Sequence, residues 1–311
     1  MSLVINHNLM AMNAQRNLTE HYSRLNTSTR RLSSGLRVDT AADDAAGLAI
    51  RELMRSEVNS MHQGIRNAND AISLIQTADG ALQVIDEKLI RMKELAMQAS
   101  TGTYNSDQRL IIDSEYQAMS SEISRIANAT DFNGIYLLNG NLSGDLGAAT
   151  NPHNGHGLLS TGPLKIHFGT GNDCAEDYYY VAIQGATASA FGIGMSAAAK
   201  NGATTEEINA GKTISTQALA QAAMEALNQA IISKDKIRAN LGSMQNRLEN
   251  TITNLEIQAE NLSAAESRIS DVDVAQEMTE FVRNQILTQS AVAMLAQANS
   301  LPRMAMQLIG G

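Results

Sequence analysis

Two long stretches of the chain carry apolar residues at alternating spacings of three and four, the repeat of a coiled-coil seam. The N-terminal stretch spans residues 58–99, where an extra three-residue step at Ala78 predicts a stammer. The C-terminal stretch spans residues 237–262. Because a helix cannot bury so narrow a stripe by itself, the two stretches are expected to pack antiparallel on each other. The residues expected to be buried between them are Leu82, Ile85, Leu89, Leu248 and Leu255.

Composition and charge argue against several classes of protein. The 311 residues include no Trp and only 4% aromatic residues, too few large anchors for a broad enzyme core. A net charge of −9 without any Lys/Arg block argues against a nucleic-acid partner, and one cysteine excludes an intrachain disulfide and a multi-cysteine zinc site. The apolar runs are too short for a membrane span, and the first residues do not resemble an ordinary secretory signal. We therefore expect a mainly α-helical protein that is not an enzyme.

Glycines and capping residues divide the helical stretches. Gly35 is expected to end a first helix, and Gly102 separates the long helix from another. The apolar positions of this other helix are Leu110, Met119, Ile123 and Ile126. A Ser or Thr followed three residues later by an acid is typical of a capping box. The sequence therefore predicts helix starts at Thr40–Asp43 and Ser270–Asp273.

The segment between the helical arms, residues 142–212, has the composition of a small β unit. Most of the 22 glycines of the chain lie in it or close to it. The dipeptides Asn133-Gly134 and Asn139-Gly140 just before it predict hairpin turns, and residues 165–168 and 178–183 are β-prone. An insert of this size is expected to form one small β-hairpin or β lobe and no large catalytic domain.

Two patterns have a chemical interpretation beside a simpler structural one. Gly192, Gly194 and Ala197 form G-x-G-x-x-A, but no βαβ pattern surrounds them, which favours a loop over a nucleotide site. Glu87 and Arg91 are four residues apart in a charged stretch, which favours a solvated helix face with a weak ion pair.

The insert also contains residue types that bind metals in other proteins: His153, His156, His167, Asp173 and Cys174. They lack the helical spacing of a preorganised ligand pair, so solvated loop side chains are favoured over a metal site. No base is spaced to activate the thiol. The sequence thus predicts no catalytic residue, no metal and no cofactor.

The two ends of the chain carry almost no charge. Arg303 is the only charged residue between Asn284 and Gly311, and Met1 to Gln15 contain none apart from a histidine. A helix without a charged face is expected to be surrounded by protein, and packing among many copies provides that. The sequence therefore predicts a self-assembling fibre or tube. The residues expected to form its polymerisation core are Leu3, Ile5, Leu9, Met10, Leu18, Met278, Phe281, Ile286, Leu287, Met294, Leu295 and Leu301.

The same ends are expected to be largely disordered before assembly, over residues 1–35 and 275–311. Isolated helices are marginal in water, and ordering them costs backbone entropy. The methionines of these ends are expected to fill irregular gaps between subunits.

Several long strings resemble the bacterial flagellin family. They are RLSSGLRVDTAADDAAGLAI (31–50), NANDAISLIQTADGAL (67–82), TDFNGIYLLNG (130–140), LGSMQNRLENTITNLEIQAENLSAAESRISDVD (241–273) and MLAQAN (294–299). The resemblance implies a subunit of the extracellular flagellar filament, exported unfolded by the flagellar type III apparatus. It also implies three domains: residues 1–40 with 270–311 as the filament core, residues 41–141 with 213–269 as a coiled-coil domain, and residues 142–212 as a short variable surface insert.

The resemblance further implies partners. These are other copies of the chain, an export chaperone at the C-terminal helix, and the filament cap and hook-junction proteins. The animal receptor TLR5 recognises flagellins, and the matching positions here are Arg91, Leu95 and Glu115. The alternatives are a hook–filament junction protein, against which the unbroken strings argue, and a secreted enzyme on flagellin arms, for which the insert offers no convincing catalytic set.

Overall fold

The structure, a computed structural model, describes residues 8–143, 162–173, 176–194 and 211–309, with side chains of the last helix up to residue 300 and at Met304. In chain order its elements are α1 (Leu9–Ser34), α2 (Ala45–Ser100), α3 (Ser106–Ala129), β1 (Asp131–Phe132), β2 (Ile135–Tyr136), β3 (Leu164–His167), β4 (Tyr178–Val181), α4 (Gln217–Ser270) and α5 (Val274–Ile309). The predicted fold class, mainly α with a small β part, is confirmed. Within the described ranges, no helix is long and apolar enough to cross a membrane.

The chain divides into two compact units. The first comprises residues 1–59 and 259–311, and the second comprises residues 60–258. Each boundary between the units falls inside a long helix, α2 or α4.

In the first unit, α1 and α5 pack antiparallel. The Asn8 Nδ2 atom donates to the Ala298 carbonyl oxygen at 2.8 Å, and 23 residues further along α1 the Arg31 guanidinium lies 3.7 Å from the Glu277 carboxylate. Gly35 follows α1 with a φ of 73°, the left-handed conformation that glycine adopts most easily. The predicted end of the first helix is therefore confirmed.

In the second unit, α2 and α4 pack antiparallel, as predicted. The Arg238 Nε atom donates to Asp79 Oδ1 at 2.7 Å, and Lys234 Nζ lies 2.6 Å from Asp86 Oδ1. Residue numbers thus rise along α2 as they fall along α4. The five residues predicted to be buried at this seam are all 8% exposed or less.

The predicted stammer in α2 is wrong. Buried positions continue in regular steps of three and four from Gly64 to Ala99. Ala68 and Ala71 occupy inner positions, whereas Ile65 and Ile72 are only partly buried. The sequence pattern followed the larger side chains. The inner positions in this part of α2 are instead filled by small residues, so the buried steps of three and four continue without an extra step.

Both predicted capping boxes are wrong by a few residues. Asp44 Oδ1 accepts from the amide three residues on at 2.9 Å, so Asp44 caps α2. Asp273 Oδ1 likewise accepts from the amides two and three residues on and caps α5. Thr40 instead bonds to Asp43 in the preceding turn, and Ser270 is the last residue of α4. In each case an aspartate next to the helix is itself the cap.

The helix that follows Gly102, α3, faces the core with most of its predicted apolar positions. Ile123 is 0% exposed, and Met119 and Ile126 pack partly buried against the core. Leu110 is 55% exposed, so its predicted inner position is wrong, and Ile112 and Tyr116, at 8% and 0% exposed, were not predicted. The buried Tyr116 hydroxyl donates to the Gly211 carbonyl oxygen at 2.7 Å, and burial raises the pKa of this phenol.

One of the two predicted hairpin turns near the insert is confirmed. Asn133 and Gly134 have positive φ values of 51° and 80° and join the antiparallel strands β1 and β2. The second predicted turn, Asn139-Gly140, is wrong as a hairpin, because this dipeptide lies in a bend. There Asn139 Oδ1 accepts from the Asn141 amide at 2.9 Å, a local bond that needs no strands.

The two β-prone runs of the insert form the antiparallel pair β3–β4, as predicted. This hairpin packs on α2, where Asn67 Nδ2 donates to the His167 carbonyl oxygen at 2.9 Å. It also packs on α4, where the Arg247 guanidinium lies 3.6 Å from the centre of the Tyr179 ring. The described part of the insert is thus attached to the helices of the second unit.

Candidate assembly surface

Helix α5 exposes large apolar side chains on several sides. Four of them, spaced four residues apart, are between 44% and 58% exposed: Val274, Met278, Val282 and Ile286. Each four-residue step turns the side chain by about 40° around the helix axis, so these four spread over about 120°. Leu287 and Met294 are also exposed and lie on another side of the helix. The helix therefore has no wholly polar face.

The start of α1 continues this apolar surface within the first unit. Leu9, Met10 and Met12 are 65%, 52% and 62% exposed, and the Asn8–Ala298 hydrogen bond places them beside the C-terminal half of α5. We call the exposed apolar residues of the two helices the terminal apolar surface. Its members are Leu9, Met10, Met12, Val274, Met278, Val282, Ile286, Leu287, Val292, Met294 and Met304.

The residues predicted to form a polymerisation core divide into three groups. Six belong to the terminal apolar surface: Leu9, Met10, Met278, Ile286, Leu287 and Met294. Three are partly buried: Leu18, Phe281 and Leu295. Leu3, Ile5 and the side chain of Leu301 lie outside the described residues. The sequence interpretation omitted Val274, Val282 and Val292, although the four-residue spacing of Val274 and Val282 with Met278 and Ile286 is visible in the sequence.

Several charged residues of the first unit lie where α1 ends and α5 begins. Arg30 lies 3.0 Å from Asp43, and Arg31 lies 4.0 Å from the same carboxylate. The Thr40 hydroxyl and amide, helped by these arginines, hold the pKa of Asp43 below its usual range. In the described part of α5, no ion pair involves a residue beyond Arg283. Beyond Arg283 and at the start of α1, the terminal apolar surface thus combines exposure to water with few charges, an arrangement typical of a protein–protein interface.

The second unit carries the residues predicted to contact a receptor. The Arg91 guanidinium donates to Glu115 at 2.8 Å and to Glu94 at 3.0 Å, and both carboxylates raise the pKa of Arg91. The side chains of Arg91 and Glu115 are 48% and 44% exposed. Leu95 is 1% exposed and packs in the core, so it is not available as an apolar anchor in this structure. Arg91 reaches across to α3 instead of forming the predicted pair with Glu87.

The remaining chemical patterns have structural explanations or fall outside the described residues. Gly192 and Gly194 lie in a turn with φ values of 73° and 76°, where the Gly194 amide donates to the Gly211 carbonyl oxygen at 2.8 Å. His167 ends β3. Ala197, His153, His156 and Cys174 lie outside the described ranges. Within those ranges, no group of three metal-binding side chains occurs.

Comparisons with known proteins identify the family. Residues 5–143 match the bacterial flagellin N-terminal helical region, and residues 224–309 match the bacterial flagellin C-terminal helical region. The flagellin of Bacillus subtilis is 41% identical, with 98% of this chain and 99% of the relative aligned. The flagellin of Halalkalibacterium halodurans is 39% identical, with 99% and 100% aligned.

The crystal structure of Bacillus cereus flagellin aligns with 65% of this chain and 94% of its own chain, at 28% identity and a TM-score of 0.43. The two family matches and the near-full-length relatives give the hook–filament junction alternative no support. The chain belongs to the bacterial flagellin family and is a structural subunit of the flagellar filament.

Proposed function

We propose that this flagellin polymerises by burying its terminal apolar surface against other copies of the chain. The observation that carries the proposal is the exposure of large apolar side chains around α5 and at the start of α1. Removing apolar area from water contributes roughly 25 cal/mol per Å². Within one chain, α1 covers only one side of α5. Neighbouring subunits can cover the other sides of α5.

We further propose that α1 and α5 are largely unfolded in the free subunit and adopt the described pairing on assembly. Among the described residues of these two helices, the buried side chains are small or polar: Ser28, Asn284 and Ala298. Such side chains contribute little hydrophobic stabilisation, while ordering each residue costs about 1–2 kcal/mol of backbone entropy. The pair therefore needs neighbours to be stable.

This coupling of folding to assembly fits an export route that carries unfolded chain. We propose secretion through the flagellar type III apparatus, with a chaperone covering α5 before export. The filament cap and the hook-junction proteins are the expected partners at the two ends of the growing filament. Residues 1–40 with 270–311 would form its core, residues 41–141 with 213–269 the coiled-coil layer, and residues 142–212 the surface. None of the three domains is proposed to catalyse a reaction.

The assembly proposal is tested by placing a charge on the terminal apolar surface. Purified full-length Ile286→Arg subunits are mixed with short filament seeds, and elongation is followed by electron microscopy. We expect elongation to stop, because a buried, unpaired guanidinium is strongly unfavourable. Ile286→Leu is the matched control and should elongate normally. Normal elongation by the Arg variant would refute the surface.

We also propose that Arg91 and Glu115 form a contact for the receptor TLR5 on the free subunit. Their salt bridge joins α2 and α3, and the half-exposed charges can pair with a partner. The double variant Arg91→Ala, Glu115→Ala should activate receptor-bearing cells much less than the wild type. The control is the variant Arg125→Ala, Glu122→Ala, which removes another exposed ion pair of the second unit. Full activation by the Arg91 double variant would exclude this site.

A further inference from the structure

Methionine is concentrated on the terminal apolar surface. Six methionines with described side chains are strongly exposed, and five of them lie on α1 or α5: Met10, Met12, Met278, Met294 and Met304. The sixth is Met97 on α2. The five terminal side chains are 45–62% exposed, so small oxidants in solution can reach their sulfur atoms. Met92, at 0% exposed, is shielded.

We infer that these five methionines are an oxidation site that determines whether a free subunit can join the filament. The inference rests on the proposed function, because the polarity of this surface matters only if assembly buries it. In the reaction, a sulfur lone pair attacks one oxygen of a hydroperoxide. The S–O bond forms as the O–O bond breaks. The transferred oxygen releases its proton, and the departing oxygen takes up a proton and leaves as water or an alcohol. The thioether loses two electrons, and the peroxide gains them.

The product changes the surface from apolar to polar. A sulfoxide oxygen accepts hydrogen bonds, and burying it without a donor is unfavourable. In the α5 segment from Asn284 to the chain end, Arg303 is the only charged donor, and the other side-chain donors are uncharged Asn, Gln, Ser and Thr. Oxidised subunits are therefore excluded from growing filaments. Subunits already in a filament are protected, because their neighbours cover the same sulfur atoms.

The test uses full-length subunits treated with excess hydrogen peroxide, freed of oxidant, and mixed with untreated filament seeds. Treated wild type should elongate at least about tenfold more slowly than untreated wild type. A variant with all five terminal methionines changed to Leu, which has a similar volume, should elongate equally well with and without treatment. Met97→Leu is the matched control and should lose elongation on treatment as the wild type does.

Full elongation by treated wild type, or an equal loss in the five-fold variant, would overturn the inference. If the untreated five-fold variant does not elongate, partly oxidised wild type is used instead. Its incorporated and free subunits are separated, and mass spectrometry measures the sulfoxide in each. Sulfoxide at the five positions should be enriched in subunits left in solution over those incorporated, and equal amounts would contradict the inference. Ile286→Arg separates this inference from the assembly proposal. If that variant is blocked while treated wild type elongates fully, only the oxidation site is refuted.

Discussion

At the scale of single residues, the burial of an apolar side chain on α2 determines how much it contributes to the free energy of unfolding. Leu82 is 0% exposed at the seam with α4, whereas Val84, two residues on, is 42% exposed. Leu82→Ala should lower the free energy of unfolding by about 2–5 kcal/mol, because it leaves a cavity in a close-packed core. Val84→Ala should cost well under about 1 kcal/mol. Urea unfolding followed by circular dichroism measures both, and a similar small loss in both variants would contradict the seam.

Two glycines of α2 give a second comparison at this scale. A Cβ atom added at Gly64 would lie 1.9 Å from the Phe168 carbonyl oxygen. A Cβ atom added at Gly80 would have no heavy atom of another part of the described structure within 4 Å. Gly64→Ala should therefore displace the β3–β4 hairpin and destabilise the subunit. Gly80→Ala should stabilise it by roughly 0.5–1 kcal/mol, because alanine favours a helix interior. Thermal unfolding of the two variants is the measurement, and stabilisation by both would mean that the hairpin does not pack at Gly64.

At the scale of secondary-structure elements, charged pairs accompany the apolar seam between α2 and α4. The Arg238 guanidinium, through its hydrogen bonds, holds the pKa of Asp79 below its ordinary value of 3.8. A carboxyl group with a lowered folded-state pKa stabilises the fold above its unfolded pKa, and this contribution is lost as the pH falls through the folded-state value. The pair is thus expected to stabilise the α2–α4 pairing at neutral pH and to lose that effect in acid, below pH 3.8.

The corresponding prediction compares Asp79→Asn with the wild type at two pH values. The variant should be less stable than the wild type at about pH 6, and the difference should shrink at about pH 3. Asp70→Asn, which changes an exposed carboxylate of the same helix, is the control and should change the free energy of unfolding little. If the difference in free energy of unfolding between Asp79→Asn and the wild type were equal at both pH values, this would contradict the role of the ion pair.

The elements also show which parts of this fold a single sequence specifies. The long apolar stripes predicted the helices correctly. Gly35 predicted a helix end and Asn133-Gly134 predicted a hairpin, both correctly, because each is a local signal. The inner position of Ala71 was missed, since which side of a helix meets its partner is a property of two chain segments together. The four-residue spacing of Val282 with Met278 and Ile286 is visible in the sequence. The burial of Leu95 is not, because it depends on which side of α2 the other elements cover.

At the scale of the whole molecule, the two units differ in how they bury apolar residues. The large core cluster lies wholly within residues 68–248, in the second unit. In the first unit, α1 and α5 leave many of their large apolar side chains exposed, and their fully buried side chains are small or polar. This contrast supports the proposal that the second unit folds within one chain, whereas the terminal helices fold only among several copies.

Hydrogen exchange of the free subunit and of the filament tests this claim most directly. Amide exchange is measured over α1 and α5 in both states, with the α2–α4 seam around Leu82 and Leu248 as an internal reference. We predict fast exchange of α1 and α5 in the free subunit, strong protection of both in the filament, and protection of the seam in both states. Protection of α1 and α5 already in the free subunit would contradict the account, because the terminal helices would then be stable without neighbours.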